Sequence, residues 1–249
     1  MDKATLSKIS NQQGKQEALI VIKGYLSDED FVDKIQESYC PHIRKAGWKG
    51  SIYHLWWDAS NIYSVIRNLA AVAQTSLITG ASAPIIAGGM SIGARYHWSK
   101  IKNRAKKTGK KYAIPLIQNT ITEKNISIMG HSLGARVAYY ILKSAIDTPV
   151  QFRNVYLLGG AIRRDSSKDW SDVTKKVNGC IFNIYNQDDI ILSTLFKMAE
   201  LGQNPCGLQP IKEQHHKIQN IDATRVINSE SHSAYRKHLY QINGLSFHR

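Results

Sequence analysis

The chain has 249 residues, with 33 Lys and Arg against 19 Asp and Glu, a formal net charge of +14 with histidine neutral. Hydrophobic residues at 43% and charged residues at 21% are ordinary globular usage and exclude a disordered, collagen-like or wholly membrane-embedded chain. The length suits one large domain, residues 1–249, and the basic balance admits nucleic acid, phospholipid surfaces or phosphorylated ligands without choosing among them.

The first clear element is the apolar run Ala18–Gly24, which reads as a strand buried on both faces of a sheet. Ser27 followed by Asp30 is a helix-start signal, and Phe31, Ile35 and Tyr39 recur every four residues, so a helix follows. Ser51–Trp57, aromatic and aliphatic between Gly50 and Asp58, predicts a second strand, with a helix from Asn61. Asn68–Ala94 then runs 27 residues without a charge. About 20 apolar residues would cross a bilayer, but Gly80, Pro84, Gly88, Gly89 and Gly93 interrupt this stretch. It reads first as a helical insertion packed over the sheet, second as a lid or membrane-contacting cap, and last as a span. Its glycines lack the Gly-Lys-Ser/Thr ending of a phosphate-binding loop, and no cofactor is expected.

Residues 96–121 are helical in pattern and basic. Seven of the twelve residues from Lys100 to Lys111 are cationic: Lys100, Lys102, Arg104, Lys106, Lys107, Lys110 and Lys111. They cannot all share one narrow helical face, so a solvated helix is the plain reading and attraction to anionic phospholipid headgroups the functional one. Nucleic acid comes third, because no zinc-finger, RNP or helix-turn-helix signature accompanies the charge. Beyond this helix, strands are predicted at Asn125–Gly130, Asn154–Gly159 and Cys180–Tyr185. They alternate with helices at Ala135–Ala145, Lys168–Val177 and Ile190–Leu201, and a further helical segment covers Ala234–Tyr240. Strand cores alternating with helices predict an α/β fold with a mostly parallel sheet flanked by helices.

The sharpest motif is Gly130-His131-Ser132-Leu133-Gly134, set between a predicted strand and a predicted helix. In the nucleophile elbow this spelling puts serine on a strained strand-to-helix turn, and the two glycines remove the collisions such a turn would cause. The required acid and histidine should follow in that order. Asp188 and Asp189 lie just past a strand; Asp189 is the candidate acid and Asp188 the alternate, since one of two adjacent carboxylates could instead cap the next helix. Among His215, His216, His232, His238 and His248, His232 is best placed, in a polar loop before the last helical segment. His215-His216 reads as a solvated pair without metal-ligand spacing, and no metal is expected. Oxyanion donors would be the backbone N–H of Leu133 and of a residue after the first strand, Tyr25 beside Gly24.

Three cysteines (Cys40, Cys180 and Cys206) are too few for a disulfide framework, and the N-terminus lacks the apolar run of a signal peptide. The expected location is cytoplasmic or peripheral on a membrane, with signal-less delivery as a secreted effector the remaining setting.

Taken in order, Ile22–Asp30, Tyr53–Asp58, Trp98–Ala105, Gly130–Val137, Leu157–Ala161, Asn183–Asp189 and His232–Tyr235 resemble an α/β-hydrolase family of largely uncharacterised, lipase-like proteins. That family includes the transmembrane and coiled-coil domain-containing proteins. The similarity runs from Glu17 to Ile242. It implies an α/β-hydrolase fold and a serine hydrolase of lipase or esterase type, with Ser132, Asp189 and His232 at the triad positions and Asp189 favoured over Asp188. Relatives commonly carry a long helical, partly membrane-associated region first, whereas this sequence begins near the catalytic domain. The expected activity is cleavage of a lipid ester through an acyl-enzyme on Ser132. A soluble esterase or thioesterase, and a non-catalytic scaffold binding an anionic membrane or a protein partner, are the alternatives.

Overall fold

The computed structural model describes residues 4–24, 32–59, 92–165, 167–227, 232–243, 245 and 247. The expected helix start at Ser27–Asp30, the helix from Asn61, most of the uncharged stretch and Tyr25 lie outside them.

Among the described residues the sheet has seven strands: β1 (Ala4–Ser10), β2 (Glu17–Ile22), β3 (Ser51–Trp57), β4 (Asn125–His131), β5 (Val155–Leu158), β6 (Ile181–Tyr185) and β7 (Ile218–Asp222). Their spatial order is β1-β3-β2-β4-β5-β6-β7. All pairings are parallel except that of β1 with β3. The continuous apolar run of β2 is explained by this arrangement. Ala18, Ile20 and Ile22 enter one hydrophobic layer while Leu19 and Val21 enter the other, so both faces need apolar side chains. β5 divides the same way, Val155 and Leu157 against Tyr156 and Leu158.

Helices cover both layers. α1 (Val32–Lys45) inserts Ile35, Tyr39 and Ile43 into the second layer. On the other face lies a long helical run: α2 (Ile92–Lys107), a π turn (Thr108–Tyr112) and α3 (Ala113–Thr120). It packs Trp98, Ile101, Ala105, Ile114 and Ile117 into the first layer. Beside it α4 (Leu133–Ala145) is buried along nearly its whole length. The two cross at Gly109, where a Cβ would lie 2.6 Å from the Tyr140 Cβ and 2.7 Å from the Val137 carbonyl oxygen. Only glycine permits that approach.

The shorter helices are α5 (Trp170–Thr174), α6 (Lys197–Ala199, preceded by a π turn at Leu192–Phe196), α7 (Thr224–Ile227) and α8 (Tyr235–His238). Two strands were not expected from sequence. β1 and β7 are outer strands of the sheet, and β7 is buried only at Ile218, so neither carries the long apolar run that marks the inner strands. The predicted helix at Lys168–Val177 shortens to α5, and the predicted helix at Ile190–Leu201 is largely a π turn.

Candidate active site

The chain reverses from β4 into α4 at Ser132, whose backbone sits at φ 56°, ψ −121°. A non-glycine residue in that region costs about 1–3 kcal/mol and persists only where its surroundings hold it. They do. Ser132 donates its N–H to the Leu158 carbonyl (3.0 Å), and its own carbonyl accepts from the N–H groups of Ala135 (3.1 Å) and Ala161 (3.0 Å).

The motif glycines are explained by contacts. A Cβ at Gly134 would overlap the Ile22 carbonyl oxygen, and one at Gly130 would lie 2.6 Å from the Gly134 carbonyl oxygen. The turn is therefore pressed between β2 and its own helix. Gly24, just past the end of β2, is part of the same arrangement. A Cβ there would overlap the Ser132 Cβ and lie 2.6 Å from the His131 carbonyl oxygen. An ordinary strand-ending glycine would not show this constraint.

Asp189 follows β6 and is buried, whereas Asp188 is exposed. The Asp189 Oδ2 accepts from Nδ1–H of His232 at 2.5 Å, and both side chains are almost fully buried. Its Oδ1 accepts from the Leu192 N–H at 3.0 Å, satisfying a donor at the start of the following helical turn. One carboxylate thus contacts both the His232 ring and the start of the following helical turn. With Nδ1 protonated toward Asp189, the other ring nitrogen of His232, Nε2, is left as an acceptor. It is buried and has no hydrogen-bond partner among the described residues.

His131, inside the motif, ties the two halves together. Its Nε2–H donates to the His232 carbonyl at 2.8 Å, and the two rings lie 4.9 Å apart at 34°. Burial, helped by the neighbouring His232, pushes the His131 pKa down to about 3, so the ring is neutral near pH 7. Nothing in the sequence beyond its place in the motif marked this residue. Tyr235 lies beneath, 5.9 Å from the His131 ring, and its ring fills the space over Gly159 at φ 52°. Burial raises its hydroxyl pKa well above the usual value.

Ser132, Asp189 and His232 all follow the C-terminal ends of parallel strands, where ligands bind in open α/β sheets. Leu133 opens α4, so its N–H has no acceptor within that helix. Of the other candidate histidines, His215 contacts Thr174 Oγ1 (3.3 Å) and stacks on His216 (4.4 Å), His238 contacts Gln241 (2.6 Å), and His248 lies outside the described residues. Among the described residues no three His, Cys, Asp or Glu side chains group as a metal site.

An outer antiparallel strand, a parallel array with helices on both faces, and a serine turn at the end of its central strand define the α/β-hydrolase class. Within that class, residues 62–245 match the family described as protein of unknown function (DUF726), and the chain belongs to it.

Its relatives include the transmembrane and coiled-coil domain-containing protein STS1 of Oryza sativa subsp. japonica, 26% identical over 94% of this chain and 36% of that protein. An uncharacterized membrane protein of Schizosaccharomyces pombe is 27% identical over 90% of this chain and 30% of its own length. A Saccharomyces cerevisiae protein named probable lipase MIL1 is 26% identical over 78% and 20%. The chain thus spans about a third of the length of the first two relatives. Among solved structures it is similar to a lipase-esterase related protein from Clostridium acetobutylicum (TM-score 0.28, 13% identity, 67% of this chain and 49% of that one). Another is the BES protein from Bacillus cereus (TM-score 0.39, 12% identity, 96% and 88%). Several relatives are named as membrane proteins, while no helix among the described residues is long and apolar enough to cross a membrane.

Proposed function

We propose that the chain is a serine hydrolase that cleaves a carboxylic ester, with Ser132 as nucleophile, His232 as general base and Asp189 orienting the imidazole. The observation that carries this reading is the buried Asp189–His232 hydrogen bond, held by His131 against the strained Ser132 turn. In this scheme the Ser132 Oγ attacks the ester carbonyl carbon and its proton passes to Nε2 of His232. The oxyanion is met by the Leu133 N–H, with the segment after Gly24 as the site of a second donor. Collapse expels the alcohol, which takes the proton back from the imidazolium. Water, deprotonated by the same imidazole, then attacks the acyl-enzyme and releases the acid.

A lipid ester is the favoured substrate class, supported by the name of the yeast relative. The test is labelling by a fluorophosphonate probe. The wild type is expected to react and Ser132→Ala to be silent. An unreactive wild type, or labelling that survives Ser132→Ala, refutes the assignment. Hydrolysis of long-chain against short-chain esters then separates a lipase from a soluble esterase.

A further inference from the structure

Between Ile92 and Thr122 the sequence contains no acidic residue. The structure divides the cations of this segment into two groups, with Lys107, half-buried over the Tyr112 ring (5.9 Å), in neither. Lys102 pairs with Glu200 and Arg104 with Asp58 (3.2 Å), so these two are tied to the body of the protein. Arg95, Lys100, Lys106, Lys110 and Lys111 are exposed. On the 3.6-residue period Lys100, Ser99 and Asn103 lie on the side away from the stripe that buries Trp98, Ile101 and Ala105, Arg95 and Lys106 lie on one flank of that side, and Lys110 and Lys111 are exposed in the π turn that follows. Tyr96 shares this outer arc and is 64% exposed. Acidic side chains nearby are turned inward: Asp58 and Glu200 hold Arg104 and Lys102, and Glu123 is buried against Tyr53 (2.9 Å) and Lys8 (3.4 Å). The outer face is therefore of one sign along about 18 Å of α-helix, at 1.5 Å per residue from position 95 to 107, and on into the π turn.

The orientation of the helix adds a second point. α2 leads down to β4, so it runs opposite to the parallel strands, and its first turns lie at the end of the sheet that carries Ser132. Arg104 reaches Asp58, the residue after β3, and Trp98 stacks edge-on against Phe196 (5.9 Å) in the turn that follows Asp189.

We infer that the outer face of α2 and its π turn docks the protein on an anionic lipid bilayer, with Arg95, Lys100, Lys106, Lys110 and Lys111 at the headgroups and Tyr96 at the interface. Charge complementarity and the exposed aromatic at the rim carry this choice of partner, since Tyr is favoured where one end of a side chain is apolar and the other wet. The contribution comes from five surface cations and one tyrosine, not from the seven-residue run read in sequence. Docking is independent of the hydrolase reading and is measured without turnover.

The experiment uses Ser132→Ala protein, so that vesicles stay intact, and co-sedimentation with vesicles of phosphatidylcholine alone or with 30% phosphatidylserine. Binding is expected only to the anionic vesicles and to fall as salt rises. One basic residue near the surface is worth roughly fivefold in partition, so Lys100→Glu/Lys106→Glu/Lys110→Glu is expected to weaken binding by about a hundredfold or more. Tyr96→Ala is expected to weaken it severalfold. The charge-matched control Lys49→Glu/Lys212→Glu/Lys237→Glu, on exposed positions elsewhere, is expected to change it less than threefold, and melting curves confirm that each variant is folded. Equal losses in the two triple variants would reduce the effect to net charge and overturn the proposal. So would equal binding to uncharged vesicles, or displacement from anionic vesicles by an equimolar oligonucleotide. If docking holds but Ser132 does not label, the hydrolase reading fails and the docking stands.

Discussion

Replacing Asp189 by Asn separates the two tasks of that carboxylate. In the wild type Oδ1 receives the Leu192 N–H and Oδ2 receives Nδ1–H of His232. Asparagine has one acceptor oxygen. If it stays on Leu192, which costs nothing in geometry, the amide NH2 faces His232 Nδ1 and donates to it. The neutral ring must then carry its proton on Nε2, and the nitrogen that should accept the Ser132 proton becomes a donor. Loss of a charge-assisted bond is expected to cost about 1–3 kcal/mol of stability, so the variant folds with its helix start intact. The rate falls much further, by about 10⁴ in kcat where the same tautomer reversal operates in a serine protease triad. Asp189→Ala also removes the cap and is expected to lose an additional 0.5–2 kcal/mol or so. The assay pairs thermal or urea unfolding with the rate of fluorophosphonate labelling. An Asp189→Asn protein that labels within tenfold of wild type would refute the orienting role, and one that fails to fold would refute the separation of cap from catalysis.

Gly24→Ala forces a Cβ onto Ser132 and is expected to destabilise the fold by about 1–3 kcal/mol, with a matching loss of labelling by the probe. His131→Gln retains an N–H that can reach the His232 carbonyl and is expected to keep much of the wild-type rate. His131→Phe leaves that buried carbonyl without its donor and is expected to lower kcat more than KM. His131 also governs acid sensitivity. The unfolded chain takes up its proton near pH 6.5 and the folded chain near 3, so in that window the unfolded state binds more protons and stability falls with falling pH. His131→Gln is expected to flatten urea-derived stability between pH 6 and 4 by up to about 1.4 kcal/mol per pH unit, the remaining slope including His54, whose pKa burial lowers to about 4. Gly109→Leu, far in sequence from the motif, is expected to lower the melting temperature by wedging α2 from α4, without removing any group from the site.

The inner strands and the strand-to-helix turn at Ser132 were legible because their physics is local. A buried parallel strand needs a continuous apolar run, and a strained serine turn needs glycine two positions to either side. β1 and β7 were illegible for the converse reason: a strand at the sheet's margin solvates part of its surface, so Ile218–Asp222 reads as polar loop. His232 was proposed from chain order and Asp189 from its position after a strand, but the bond between them, spanning 43 positions, is a tertiary fact. His131 was invisible as a site residue, and Gly24 was marked only as the neighbour of an expected oxyanion donor, because their contacts with His232 and Ser132 run across strands. The basic run could be counted in sequence, yet only the positions of Asp58 and Glu200 divide it into inward and outward cations.

The Ser132 turn is assembled from three neighbouring strands: β4 supplies the residue, Ile22 at the end of β2 bounds Gly134, and Leu158 at the end of β5 accepts the serine N–H. No short stretch of sequence contains these supports: Ile22 and Leu158 lie more than a hundred positions apart along the chain. A nascent or partly unfolded chain in which β2 or β5 has not joined therefore carries an ordinary serine with relaxed backbone. On the proposed hydrolase reading, probe labelling at Ser132 thus doubles as a reporter of sheet closure, because the central strands must assemble before the strained turn exists.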